Sequence, residues 1–235
     1  MRSFFIVLLL AACGVALVAF ASLLFSQIDT RLVLSRFDPS LSEPIPEVPY
    51  HAPRVIEAGM YTLASGTTTF SLSNPVESRD SYTGTTRLTT GELTLEQSKF
   101  DDWSGSGVFL LDMSSLMFPH NDDMLDLRTP DFFAVDDFPD ATLTIMSIAR
   151  HNNSSVFNLV GRLTMLGQTH DVLIPEATIY TREDTLVLEA DFNFDRTQWG
   201  MTHASPTFSG SKGYSMLDDT VHVVFSATFS FPENE

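Results

Sequence analysis

From residue 221 onward the side chains alternate: Val221, Val223, Phe225, Ala227, Phe229 and Phe231 fall on one face of an extended strand, with His222, Ser226, Thr228 and Ser230 on the other. Successive residues of a strand point to opposite sides, so one face of this segment is buried and the other wet. Residues 185–195 repeat the pattern, setting Leu186, Leu188, Ala190, Phe192 and Phe194 against Thr185, Glu189, Asp191, Asn193 and Asp195. One solvated face per strand is the mark of an antiparallel sheet, because parallel sheets are covered on both sides.

Weaker copies of the alternation occupy 60–65, 67–73, 85–97, 107–113, 142–148, 155–165 and 169–180. Turn-forming residues separate them: Ser65-Gly66, Asn74-Pro75, His151-Asn152-Asn153, Gly167 and Arg182-Glu183-Asp184. The count is eight or nine strands with no helical repeat between them, which argues against parallel βαβ units and leaves an all-β meander, as a barrel or a sandwich. An antiparallel sheet of eight strands can close on itself, and closure removes the exposed edges that invite aggregation. One short helix is expected, over 121–128. Pro130 stops it, and Pro139 marks the start of the strand that follows.

The amino-terminal region stands apart from this pattern. Phe4 to Phe25 carries no charge and is long enough to cross a hydrocarbon core as a helix. Three readings fit it. Leu10-Ala11-Ala12-Cys13 resembles a bacterial lipobox, Ala19-Phe20-Ala21 resembles a signal-peptidase site, and the full length of the run suits a retained anchor. Each sends the following domain out of the cytoplasm, so residues 1–26 read as a transmembrane anchor or signal segment and the protein as a component of the cell envelope. Five of the twelve prolines lie between Gln27 and Pro53. Residues 27–53 therefore form a stiff linker spanning on the order of 80 Å at most, and 54–235 remain for one folded domain. Cys13 is the sole cysteine, so this domain relies on its packed core and not on disulfides.

A formal charge of −17 excludes nucleic acid as a partner, since phosphate recognition needs the opposite sign. It also disfavours direct adhesion to an anionic bilayer, leaving membrane attachment to the amino-terminal segment. Ten aspartates fall between Asp101 and Asp140, but Asp122, Asp123 and Asp126 lack the spacing and terminal glutamate of a calcium loop, and a solvated acidic face accounts for them.

Catalytic motifs are missing in the same way. The six histidines, at 51, 120, 151, 170, 203 and 222, form no metal-ligand spacing. Gly105-Ser106-Gly107 is not a nucleophile elbow, and Ser209-Gly210-Ser211-Lys212-Gly213 is not a phosphate loop. No enzyme activity, metal or cofactor is expected. A homodimer is compatible with the sequence.

Several segments carry a resemblance to a known family. Leu127-Arg128, Asp131-Phe132-Phe133 and Phe138-Pro139 are followed by Gly161-Arg162-Leu163-Thr164-Met165-Leu166-Gly167-Gln168-Thr169-His170-Asp171-Val172, which has the form GxLTxxGxTxxV. Gly84-Thr85-Thr86 with Gly91, and Asp195-Arg196-Thr197-Gln198-Trp199-Gly200, add to the match. Over roughly 61–231 the chain resembles the YceI-like family of lipocalin-like barrels. It departs from the family in the first hairpin, where Gly66, Thr67 and Asn74 stand in place of histidines, so no role resting on those histidines transfers.

The resemblance implies a closed eight-stranded antiparallel barrel, with the short helix over one end, that holds an isoprenoid or fatty-acyl-type lipid along its axis without catalysis. Alternation alone favours plain core for the fourteen phenylalanines after residue 54. The resemblance instead makes the inward residues a tunnel wall: Phe70, Leu72, Phe109, Leu111, Leu143, Ile145, Phe157, Leu159, Leu188, Phe192, Phe225 and Phe229. Arg128, Asp131, Arg196 and Trp199 are the candidate rim. The alternative is a solid barrel serving as a structural or protein-interaction module of the envelope.

Overall fold

A computed structural model describes residues 54–74, 81–99, 102–118, 127–150, 154–208 and 216–232. Eight strands run in chain order: β1 (Gly59–Ser73), β2 (Ser81–Gln97), β3 (Trp103–Met117), β4 (Asp140–Arg150), β5 (Val156–Met165), β6 (Gln168–Arg182), β7 (Thr185–Asp195) and β8 (Thr220–Ser230). Each pairs antiparallel with the next, and β8 returns to β1, so the sheet is a closed barrel. The strand ends near Gly59, Trp103, Arg150 and Arg182 form one rim, the lower end. Those near Ser73, Met117, Met165 and Asp195 form the upper end. The amino-terminal segment, the linker and residues 121–126 of the expected helix lie outside the described residues.

Alternation gives the inner face directly. Val221, Val223, Phe225, Ala227 and Phe229 of β8 and Leu186, Leu188, Ala190, Phe192 and Phe194 of β7 are all buried. Bulges change the phase elsewhere. The sequence reads Ser65-Gly66 as a turn between two strands, whereas β1 is continuous there and shifts register against β8 between Leu63 and Ser65. Gly66 serves close approach and not a turn, because a Cβ on it would lie 2.5 Å from Leu88 Cδ1 and 2.9 Å from the Ser226 carbonyl oxygen. The phase slip looks like a strand break in the sequence, and the strand count is therefore eight.

A second bulge opens a seam in the wall. Leu159 pairs with Ile174 but Phe157 pairs with Ala177, leaving one extra residue in β6 at Pro175-Glu176. Pro175 has no N–H to give the ladder, and Glu176 turns into the left-handed region at φ 54°. The β6–β7 ladder is accordingly short, running from Thr178–Glu189 to Arg182–Thr185. Toward the upper end the seam is filled by Trp199, from a 3-10 turn at Arg196–Trp199. Its ring meets His170 of β6 at 4.8 Å and Phe194 of β7 at 4.9 Å, edge to face, and its Nε1 donates to the Leu163 carbonyl at 3.3 Å.

Leu127 and Arg128, expected at the end of a helix, lie in a run of turns. Phe133 N donates to the Leu127 carbonyl and Val135 N to that of Arg128, folding 127–135 back on itself. That fold presents buried Leu127, Phe132, Phe133 and Val135 to the barrel, with the Phe133 ring 5.1 Å from that of Phe70 of β1, tilted against it. The DFF segment thus covers the upper end through turns.

In mid-barrel the wall of β2 and β3 is glycine, and the Phe109 ring lies against it. A Cβ on Gly91 would stand 2.7 Å from Phe109 Cδ1, and one on Gly107 3.2 Å from Cε2. Phe109 also meets Phe225 at 5.2 Å and Phe229 at 5.9 Å, edge to face. Held on both sides, the ring has no room to yield. Gly91→Ala is expected to cost about 1–3 kcal/mol of stability through overpacking, read as a lowered urea midpoint. A midpoint unchanged from wild type would show that the ring is free to move.

Candidate functional site

All twelve residues expected to line a tunnel are buried: Phe70 and Leu72 on β1, Phe109 and Leu111 on β3, Leu143 and Ile145 on β4, Phe157 and Leu159 on β5, Leu188 and Phe192 on β7, and Phe225 and Phe229 on β8. They belong to one hydrophobic cluster that fills the barrel from end to end. Polar groups on this inner face are few. Thr68 is 2% exposed and its hydroxyl has no hydrogen-bond partner. An apolar wall of this kind can hold hydrocarbon.

The residues proposed as a rim stand at the upper end and make structural contacts. Arg196 is fully buried. Its Nε donates to the Asp218 carbonyl at 2.9 Å, Nη1 to those of Met201 at 2.6 Å and His203 at 2.9 Å, and Nη2 to that of Leu217 at 3.1 Å. Asp219 Oδ1 lies 3.7 Å from Nη2. Burial disfavours the charged guanidinium, and Asp219, Asp195 and Asp218 oppose that effect; an arginine stays protonated in either case. Its donors tie the 196–219 connection across the end of the barrel. Arg128 Nη1 similarly donates to the Ser114 and Leu116 carbonyls, both at 3.0 Å, and Asp131 is exposed, 3.6 Å from His203. Trp199 fills the seam described above.

The lower end is built differently, and sequence reading passed over it. Tyr61 is fully buried, its hydroxyl donating to the Glu57 carbonyl at 2.7 Å and accepting from Glu57 N at 3.2 Å. Trp103, the first residue of β3, is buried in the same cluster, and its Nε1 has no partner. The Arg150 guanidinium lies 5.9 Å from the ring centres of both Trp103 and Phe157, with Nε donating to the Ser154 carbonyl at 2.6 Å. Arg54 stacks on Phe231 at 4.4 Å, and Arg182 faces Tyr180 at 5.4 Å. Carrying the odd-numbered inward parity of β3 back from Phe109 would have reached Trp103. Arg150 has no such signal, because only its ladder position opposite Phe157 brings it to the rings.

Outside the barrel, Glu176 and Thr178 of β6 face Glu189, Asp191, Val224 and Ser226 across the seam, lining an open groove of about 250 Å³ over Ala190 and Phe225. His222 pairs with Asp191 at 2.6 Å on this outward surface. No group of three metal-ligating side chains occurs among the described residues. His51, His120 and His151 lie outside them.

Two expectations follow from the ends. Arg196→Met leaves the buried carbonyls without donors and Asp219 without its cation, and is expected to cost about 3 kcal/mol in chemical denaturation; a loss under 1 kcal/mol would mean that water replaces the guanidinium. At the other end, burial raises the Tyr61 phenol above its ordinary value. The unfolded chain then ionises first, so this contribution to stability is intact below pH ~10 and is lost as pH rises through the folded value. Urea midpoints between pH 9 and 11 should fall less steeply in Tyr61→Phe than in wild type, and equal slopes would count against it.

The chain is similar to several known proteins. Among solved structures the chain is similar to Burkholderia cenocepacia BcnA, at 16% identity over 69% of this chain and 95% of that one, with a TM-score of 0.49. A polyisoprenoid binding domain from Saccharophagus degradans matches at 12% identity over 73% and 98%, TM-score 0.43. The Campylobacter jejuni YCEI protein matches at 12% over 84% and 97%, TM-score 0.44. No curated protein matches. A family model for the YceI-like domain matches residues 61–229, all eight strands almost from end to end. The chain belongs to the YceI-like domain family.

Proposed function

We propose that this protein holds an isoprenoid or other long-chain amphiphile inside its barrel, as a non-catalytic carrier or sequestering protein of the cell envelope. The observation that carries this reading is the inner face of the closed sheet, apolar along its length in a chain of the YceI-like family. A tail drawn into such a wall gains about 0.8 kcal/mol for each methylene taken out of water. Recognition of that kind needs an apolar bore and a polar group at its mouth, and no reacting residues. The uncharged run Phe4 to Phe25 supports attachment to a membrane, with residues 27–53 as the spacer and the barrel on the extracytoplasmic side.

One observation favours a second reading. Phe109, Phe225 and Phe229 meet edge to face in mid-barrel, so a tail must displace these rings to pass. If they do not move, the barrel is a solid structural or interaction module of the envelope.

Solvent extraction of the full chain, purified from the membranes of its own source and analysed by mass spectrometry, separates the two. Lipid binding predicts about one amphiphile per chain, in line with a bore wide enough for a single ligand. Protein that yields none, and takes up neither geranylgeraniol nor palmitate when offered them, would establish the solid barrel.

A further inference from the structure

We infer that the inner face at Thr68 of β1 is a polar subsite in mid-barrel, which takes an uncharged oxygen, a hydroxyl or a carbonyl, carried within the hydrocarbon of the bound ligand. This rests on the lipid-binding reading and adds a feature of the ligand's own structure. Thr68 shares the inward parity of Phe70 and Leu72, pairs across the sheet with Phe225 of β8 and Thr86 of β2, and is 2% exposed. Its hydroxyl can both donate and accept, and it has no hydrogen-bond partner. A buried polar group left unpaired costs free energy that valine, which differs by the hydroxyl alone, does not. An orphan of this kind on an apolar wall points to a partner that the chain itself does not provide.

The residue opposite shows that this fold can satisfy a buried threonine. Thr86 is fully buried, donates to the Asp112 carbonyl and lies 3.0 Å from Ser115 Oγ. Thr68 is given no such partner. Its cross-strand neighbour Phe225 carries one of the three rings that a tail must displace to pass, so a tail that moves this ring aside comes against the hydroxyl. Thr68 also stands well inside both ends of β1 (Gly59–Ser73), so the oxygen it meets is within the bore and not at a rim. The surroundings exclude a charged group. Among the described residues Arg196 is the one buried side chain with a charge, and its donors are committed to carbonyls at the upper end. An ionised group beside Thr68 would be buried without a counter-charge, at a cost that one hydroxyl does not offset.

The test offers the full chain, in a non-ionic detergent, three probes of one chain length: the mid-chain ketone laurone, the alkane tricosane and the anion tricosanoate. Bound species are read by native mass spectrometry. The ratio of laurone to tricosane bound should be about fivefold higher in wild type than in Thr68→Val, the equivalent of one neutral hydrogen bond. Thr68→Ser, which keeps the hydroxyl, should retain most of that difference. The urea midpoint of ligand-free Thr68→Val should equal or exceed that of wild type, since the substitution removes an unpaired polar group. The same ratio in wild type and Thr68→Val, or a Thr68→Ser protein that behaves as Thr68→Val does, overturns the subsite and leaves the lipid-binding reading standing. A lowered midpoint does so too, because it would show the hydroxyl already serving the fold. Tricosanoate loading that drops in Thr68→Val as far as laurone loading does would show a charged group accepted there, and overturn the restriction to uncharged oxygen. Uptake of none of the three probes overturns both readings.

Discussion

The pairing of β8 with β1, from Leu72–Val221 to Thr62–Ser230, holds the molecule in its form. Without it, both outer strands would present unpaired backbone along their length, and the inner faces of β1 and β8 would be open to water. With it, every strand acquires an inside and an outside, and period two assigns each side chain to one of them. Bulges such as that between Leu63 and Ser65 are the adjustments that let long strands coil into a closed wall while keeping the large apolar residues inward. The inward glycines serve the same end: Gly91 and Gly107 thin the wall where Phe109 lies flat against it.

Closure also makes the two ends chemically distinct. At the upper end the described parts of the long connections fold over the barrel. Arg196 satisfies carbonyls that would otherwise be stranded, Trp199 closes the seam left by Pro175 and Glu176, and Phe133 packs on Phe70. At the lower end short turns leave aromatic rings and guanidinium groups around the mouth, including one buried donor without an acceptor.

Much of this was legible in the sequence because it depends on periodicity. The twelve inward residues could be chosen by parity because each lies on a stretch where alternation is unbroken, and all twelve are buried. What was not legible depends on contacts distant in the chain. Ser65-Gly66 looks like a turn because a bulge and a break disturb the alternation in the same way, and only the approach of Leu88 and Ser226 tells them apart. Arg128 and Arg196 look like rim residues because charge beside an aromatic segment suggests a mouth, yet their donors are taken up by backbone carbonyls, those of Ser114 and Leu116 for Arg128 and of Met201, His203, Leu217 and Asp218 for Arg196. Arg150 lies at a strand end, where periodic signals fade, and its approach to the Trp103 ring has no local trace.

Methyl-labelled protein examined by NMR with a long-chain amphiphile tests the central claim most directly. A tail inside the barrel predicts intermolecular contacts from its methylene protons to methyl groups of Leu143, Ile145, Leu159 and Leu188, all on the inner wall. Contacts confined to outward residues such as Val108, Leu173 and Val224, with the inner methyl groups unmoved, would show a barrel closed to the ligand and contradict it.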